Sequence, residues 1–125
     1  MGFEPEPELS VEEVRERVDR TIEEEEVVLF IKGTELLPQC GFSRRALGLV
    51  GQYREDVATV NVLDALEEYR TALERHSGWE TIPQVYVDGE FVGGSDVLAE
   101  LDERGDLAAT LNVGDESGAE SGAQA

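Results

Sequence analysis

The amino-acid order predicts an α/β fold, a four-stranded mixed sheet flanked by helices, and three observations carry that expectation. Val27-Val28-Leu29-Phe30-Ile31 is a continuous apolar run rich in β-branched and aromatic residues, the pattern of a strand buried on both faces. Asp88-Gly89 stands between two further apolar runs, Gln84-Val85-Tyr86-Val87 and Glu90-Phe91-Val92, a strong short-range hairpin signal. The remaining periodic segments give the order helix, strand, helix, strand, helix, hairpin, helix. Its first strand–helix–strand unit should be a parallel right-handed crossover, to which the hairpin adds antiparallel strands.

Taken in order, residues 1–9 are acidic and contain proline, and are expected to form a mobile arm. Ser10 followed by Glu13 makes a capping box, opening a helix with Val11, Val14, Val18 and Ile22 along one face. Glu23 to Glu26 reads as its solvated end, and Lys32-Gly33-Thr34 closes the first strand. A second helix is expected over residues 42–54, with Phe42, Ala46, Leu49 and Tyr53 on one side; Gly48 and Gly51 weaken it. Residues 57–62 read as a second strand. Asp64 with Glu67 suggests a capped helix that turns Leu66, Tyr69 and Leu73 inward, with His76 near its end. After the hairpin, Gly93-Gly94-Ser95-Asp96 opens a helix carrying Val97, Leu98 and Leu101, stopped near Gly105. Residues 106–112 add a short final helix. The domain is thus expected over residues 10–112, followed by a disordered tail of Gly, Ala, Ser and acid over residues 113–125.

The chain of 125 residues is long enough for one domain with a real core. Its 29 acidic and 10 basic residues give a formal charge of −19, which argues against nucleic acid and against anionic membrane surfaces as partners. Lys32 is the only lysine among the basic residues. Such a lysine-poor, acidic surface resembles proteins of salt-loving archaea, where high salt screens self-repulsion. One cysteine excludes a disulfide framework and points to a reducing interior. The first residues have neither a basic start nor an apolar core, so no signal peptide is expected, and Glu6 departs from a myristoylation signal. The run Val27–Ile31 is too short to span a bilayer. A soluble, cytoplasmic protein is the expectation.

That single cysteine, Cys40, falls where the loop after the first strand gives way to helix. The positive end of the helix dipole and free backbone N–H groups there favour the thiolate, which attacks disulfides and ligates soft metals. A lone cysteine is more commonly a small buried side chain. Flanking Gly41 and Ser43 do not look like core packing and favour a reactive thiol instead.

Lys32-Gly33-Thr34, then Cys40-Gly41-Phe42-Ser43, then Trp79-x-Thr81-Ile82-Pro83-Gln84-Val85-Tyr86, then Gly93-Gly94-Ser95-Asp96 together resemble a monothiol glutaredoxin of the CGFS type, a family with the thioredoxin fold. The resemblance runs from about residue 10 to residue 111. It implies that Cys40 is both nucleophile and cluster ligand, with Gly41 and Phe42 of the same motif at the ligand. Lys32 would sit near the sulfur and hold a carboxylate of glutathione. Ile82, before a cis Pro83, would pair its backbone with that of the bound thiol. Gly94, Ser95 and Asp96 would take the γ-glutamyl group, whose carboxylate suits helix-opening N–H groups and whose ammonium suits Asp96. Arg70 matches a basic position used on the glycine carboxylate; a solvated helix charge is the alternative for it. Trp79 reads as packing, and His76, without a partner His or Cys in sequence, as a poor metal ligand.

Two positions depart from the family pattern. Glu80 replaces a usual proline, and Glu74 replaces a lysine near the glycine carboxylate. The second departure suggests a preference for a thiol lacking that glycine, such as γ-glutamylcysteine. With no second cysteine, the chain cannot form an intramolecular disulfide. A 2Fe–2S cluster takes four ligands, typically thiolates. The resemblance therefore implies a homodimer when cluster-bound, bridged by two Cys40 sulfurs and two small thiols, that serves apo iron–sulfur proteins as recipients. The alternative is a monothiol reductase of protein–glutathione mixed disulfides. A third possibility is a sensing module that engages a partner through its acidic arm or tail.

Overall fold

A computed structural model describes residues 10–113; the expected arm over 1–9 and all but the first residue of the expected tail lie outside the described residues. The elements are α1 (Val11–Glu24), β1 (Val27–Ile31), α2 (Gly41–Gly51), β2 (Ala58–Asn61), α3 (Leu66–Ser77), β3 (Gln84–Val87), β4 (Glu90–Gly93), α4 (Ser95–Glu103) and α5 (Leu107–Thr110). The sheet runs β2-β1-β3-β4, with β1 parallel to β2 and antiparallel to β3, and β3 antiparallel to β4. This is the expected mixed sheet. The hairpin turns at Asp88 and Gly89 with φ of 53° and 84°, the positive pair that a two-residue loop matched to strand twist requires.

β1 is buried along its whole length, and its alternation divides the core in two. Val28 and Phe30 face Val14, Val18 and Ile22 of α1 and Tyr69 and Leu73 of α3. Val27, Leu29 and Ile31 face Ala46 and Val50 of α2, Leu98 of α4, and Leu107 and Leu111 at α5. Each buried valine, leucine, isoleucine or phenylalanine among them contributes about 1.5–3 kcal/mol by leaving water. Val113, assigned to the tail on composition, packs partly buried against this second cluster. Among the described residues one buried side-chain polar atom lacks a partner, the hydroxyl of Tyr69 in the first cluster.

The caps differ from one another in instructive ways. Ser10 and Glu13 form the expected reciprocal capping box at α1. Asp64 does not cap α3; it lies inside a 3₁₀ turn over Leu63–Ala65, and α3 opens at Ala65 without a side-chain cap. The buried stripe of α2 is Ser43, Ala46 and Val50; of the expected face Ala46 is buried and Leu49 and Tyr53 pack partly buried against the second cluster, whereas Phe42 is exposed. The helix begins at Gly41 with Cys40 as its cap, and Ser43 is tied inward to the end of β1, which turns Phe42 outward.

The end of the sheet remote from Cys40 is closed by Arg54. Its guanidinium bonds Asp56, Glu26 and the Leu111 carbonyl, while Asn112 bonds Glu26 and Asp88. Among the described residues no helix is long and apolar enough to cross a membrane.

Candidate functional site

Cys40 leaves the loop in extended conformation, φ −148° and ψ 152°, as N-cap of α2. The loop that delivers it is a tight one. Gly33 pairs with Pro38, the Gln39 N–H donates to the Lys32 carbonyl at 2.8 Å, and the Leu37 N–H donates to Thr34 Oγ1 at 3.0 Å. Gly33 has φ of 101°, and a Cβ there would stand 2.5 Å from the Leu37 carbonyl oxygen, so no other residue fits. Asn61, at the end of β2, anchors the loop by accepting from the Gly33 N–H through Oδ1 at 3.0 Å.

The sulfur is half-buried and does not stand alone. Ser43, buried to 0% exposure, places its hydroxyl 3.1 Å from Cys40 Sγ and its backbone N–H 3.3 Å from the same atom. The Lys32 N–H also donates to Ser43 Oγ, at 3.0 Å; that oxygen accepts from the Cys40 thiol when the thiol is protonated, and its hydroxyl can donate to the sulfur once it is a thiolate. Burial opposes the thiolate. The Ser43 hydroxyl and N–H, the Lys32 charge and the Phe42 N–H outweigh it and hold the thiol below its ordinary value. Ser43 thus carries a role that its reading as an unpacked neighbour missed. Its position at the third residue of a helix capped by Cys40 was the signal for it.

Phe42, two residues after the thiol, opens the wall of a cavity of about 400 Å³ completed by Trp79, Thr81, Ile82, Pro83, Phe91, Gly94, Ser95 and Asp96, among others; Cys40 and Lys32 are not on that wall. The Ile82–Pro83 bond is cis. Gly94 brings the start of α4 against it; a Cβ at Gly94 would lie 3.1 Å from the Pro83 carbonyl oxygen. Buried Gln84 fixes the approaching strand, with Nε2 donating to the Trp79 and Thr81 carbonyls at 2.8 and 3.1 Å. Its Oε1 accepts from the Tyr86 hydroxyl at 2.7 Å, and burial pushes that phenol up to about 12, so it stays a donor. Trp79 is 59% exposed and leans toward Phe91 as a cavity wall, which its sequence reading as packing did not anticipate.

Of the candidate residues, the structure brings Phe42, Ile82, Pro83, Gly94, Ser95 and Asp96 around one cavity. Lys32 is within electrostatic reach of Cys40. Gly41 is the first residue of α2 and is exposed. Arg70 is not on the cavity wall; its guanidinium bonds Glu67 on its own helix at 3.2 Å. His76 holds Asp19 of α1 at 2.7 Å, a tie between helices.

A mixed sheet of this order, with one activated thiol capping the helix after its first strand and a cis-proline cavity walled in part by that helix, defines a single-thiol protein of the thioredoxin-like fold. The Glutaredoxin family model matches residues 27–92, and the chain belongs to the glutaredoxin family, as a monothiol member. It is similar to the bifunctional chloroplast monothiol glutaredoxin of Arabidopsis thaliana, 46% identical over 103 residues; the match covers 79% of this chain and 34% of that one, so the chain spans about a third of that relative's length. An uncharacterized monothiol glutaredoxin of Synechocystis is 44% identical over 101 residues, with 81% of this chain and 94% of that one covered. The mitochondrial monothiol glutaredoxin of Saccharomyces cerevisiae is 44% identical over 101 residues, covering 79% and 67%. Among solved structures, the reduced apo form of a poplar glutaredoxin superposes with a TM-score of 0.70 at 34% identity, over 83% of this chain and 95% of that one.

Proposed function

We propose that this monothiol glutaredoxin is of the CGFS type and carries a 2Fe–2S cluster as cargo to apo iron–sulfur proteins. The observation that carries the reading is the isolation of an activated thiol. Cys40 is the only cysteine and favours its thiolate. Among the described residues no group of three or more His, Cys, Asp or Glu can hold a metal. One chain therefore offers one soft ligand where a cluster takes four. Two copies and two external thiols complete the set, and ligands that are not protein side chains leave the cargo exchangeable.

The cavity supports the external thiol as glutathione or γ-glutamylcysteine. Ile82 and Pro83 offer a backbone edge, Gly94, Ser95 and Asp96 a γ-glutamyl site, and Lys32 a cation near the sulfur. Arg70 would have to leave Glu67 to reach a glycine carboxylate, and Glu74 on the same helix opposes that carboxylate. Both favour γ-glutamylcysteine. The acidic surface fits a cytoplasm of high salt, and neither nucleic acid nor membrane is among the proposed partners.

The same activated thiol supports a second reading. The Cys40 thiolate attacks a protein–glutathione disulfide, releasing the protein thiolate and leaving Cys40 disulfide-bonded to glutathione. A second glutathione thiolate then frees Cys40 and leaves as glutathione disulfide.

Anaerobic reconstitution with iron, sulfide and glutathione in high salt, followed by size exclusion with visible absorbance, separates the two. A coloured dimer that requires both the small thiol and Cys40, and is lost in Cys40→Ser, is the expected result. A colourless monomer with glutathione and with γ-glutamylcysteine, still active on mixed disulfides, would replace the carrier by the reductase. Equal affinity for the two thiols in high salt would remove the preference for the dipeptide.

A further inference from the structure

Asp96 is an acidic residue on the cavity wall, and its side chain is 93% exposed. Its ion-pair partner lies across the site on α2, where Arg45 Nη1 stands 3.9 Å from Asp96 Oδ1. No basic residue lines the cavity among the described residues, so Arg45 is the cation brought to that wall. A contact of this length between exposed groups is held weakly and opens easily.

We propose that Arg45 is a specificity-determining residue for the small thiol. The α-amino-acid head group of the ligand inserts into the Arg45–Asp96 pair, its ammonium on Asp96 and its carboxylate on Arg45. This rests on the reading that the cavity takes a γ-glutamyl thiol with Asp96 on its ammonium. The head group is a zwitterion with both charges on one carbon. Asp96 alone attracts any ammonium and repels the carboxylate that comes with it, on a chain already at −19. A guanidinium facing Asp96 turns that repulsion into a charge-assisted, forked contact. The first N–H groups of α4 share the same carboxylate from the other side. The pair in the ligand-free chain then acts as a closed clasp that an amino-acid head opens by satisfying both halves, while a simple amine satisfies one and leaves Arg45 without its partner.

The test uses S-methyl thioethers, so that neither disulfide chemistry nor cluster binding contributes. Binding of S-methylglutathione, of its aminobutyryl analogue (ammonium without α-carboxylate) and of its glutaryl analogue (carboxylate without ammonium) is measured by calorimetry on the full chain. The proteins are the unaltered chain, Arg45→Gln and Asp96→Asn, with thermal melts to establish that all fold alike. Arg45→Gln is expected to weaken S-methylglutathione by about two- to fivefold, less so as salt rises, and to leave the aminobutyryl analogue unweakened. Asp96→Asn is expected to weaken both ammonium-bearing ligands and to spare the glutaryl one. If Asp96→Asn acts and Arg45→Gln costs nothing, or costs both ammonium ligands equally, the role of Arg45 is overturned and the γ-glutamyl reading stands. If Asp96→Asn changes nothing, the γ-glutamyl reading falls and takes this proposal with it.

Discussion

Cys40 meets its surroundings with the proton already loosened, and Ser43 is the residue that does most of the loosening. Its hydroxyl and N–H both reach the sulfur, and the Lys32 N–H holds that hydroxyl in place by donating to its oxygen. Alkylation of the unaltered chain by iodoacetamide should reach half its plateau rate below the free-cysteine value of about 8.5. In Ser43→Ala the burial that opposes the thiolate remains while a hydrogen bond to it is lost, so the midpoint should move up. A midpoint that stays put would show that the hydroxyl serves only the Lys32 N–H. The linkage has a definite sign. A thiol held low in the folded chain adds stability that is complete above the free-thiol value and lost as pH falls through the folded one. At this scale the sequence was legible wherever chemistry is local, as for Cys40 at a helix start, Lys32 at a strand end and Asp96 at a helix start. It misjudged Ser43, because burial of a hydroxyl depends on β1 and α2 meeting, and it left Arg70 between two readings, since its pairing with Glu67 is a matter of side-chain reach.

Helix α2 shows how one residue of a correctly placed face can turn outward. Periodicity placed the helix and the Ala46, Leu49 and Tyr53 side of it, but it could not tell that Phe42, in the first turn, lies off the packed stripe. The cap at Cys40 and the inward tie of Ser43 settle the rotation and hand Phe42 to the cavity wall. Phe42→Ala should therefore cost far less than the 3–5 kcal/mol or so of a buried phenylalanine. Leu98→Ala, at 0% exposure where α4 meets the sheet, should cost about 2–5 kcal/mol. Urea unfolding of the two variants side by side checks the order; a larger loss at Phe42 would place it in the core after all. The strands were easier to read than the helix faces. β1, buried on both sides, has no face to choose, and the hairpin turn is dictated by Asp88-Gly89 itself. The start of α3 was misread because Asp64 and Glu67 have capping spacing, yet the chain enters through a 3₁₀ turn in which Asp64 is already helical.

Across the whole molecule a net charge of −19 means that the folded chain repels itself. The melting temperature should rise with salt until the screening length falls to a few ångströms, about 3 Å near 1 M. A melting point flat from low to high salt would mean that the acidic surface is no burden and that the ion pairs of Arg54 and its neighbours, rather than screening, hold the remote end together. Composition alone revealed this balance, but not how its few cations are placed. The placement has a practical side. Lys32 is the only lysine and Cys40 the only cysteine, and the two lie within electrostatic reach of each other. Reagents that modify amines indiscriminately on other proteins have one side chain to find here, the chain's amino terminus aside. Acylating Lys32 deletes a charge beside the sulfur without a mutation, and should raise the alkylation midpoint of Cys40, an effect that fades as salt is added. Dyes, surface tethers and amine-to-thiol cross-linkers would all be directed to the same region of the molecule, making it addressable by bench chemistry at its one reactive corner.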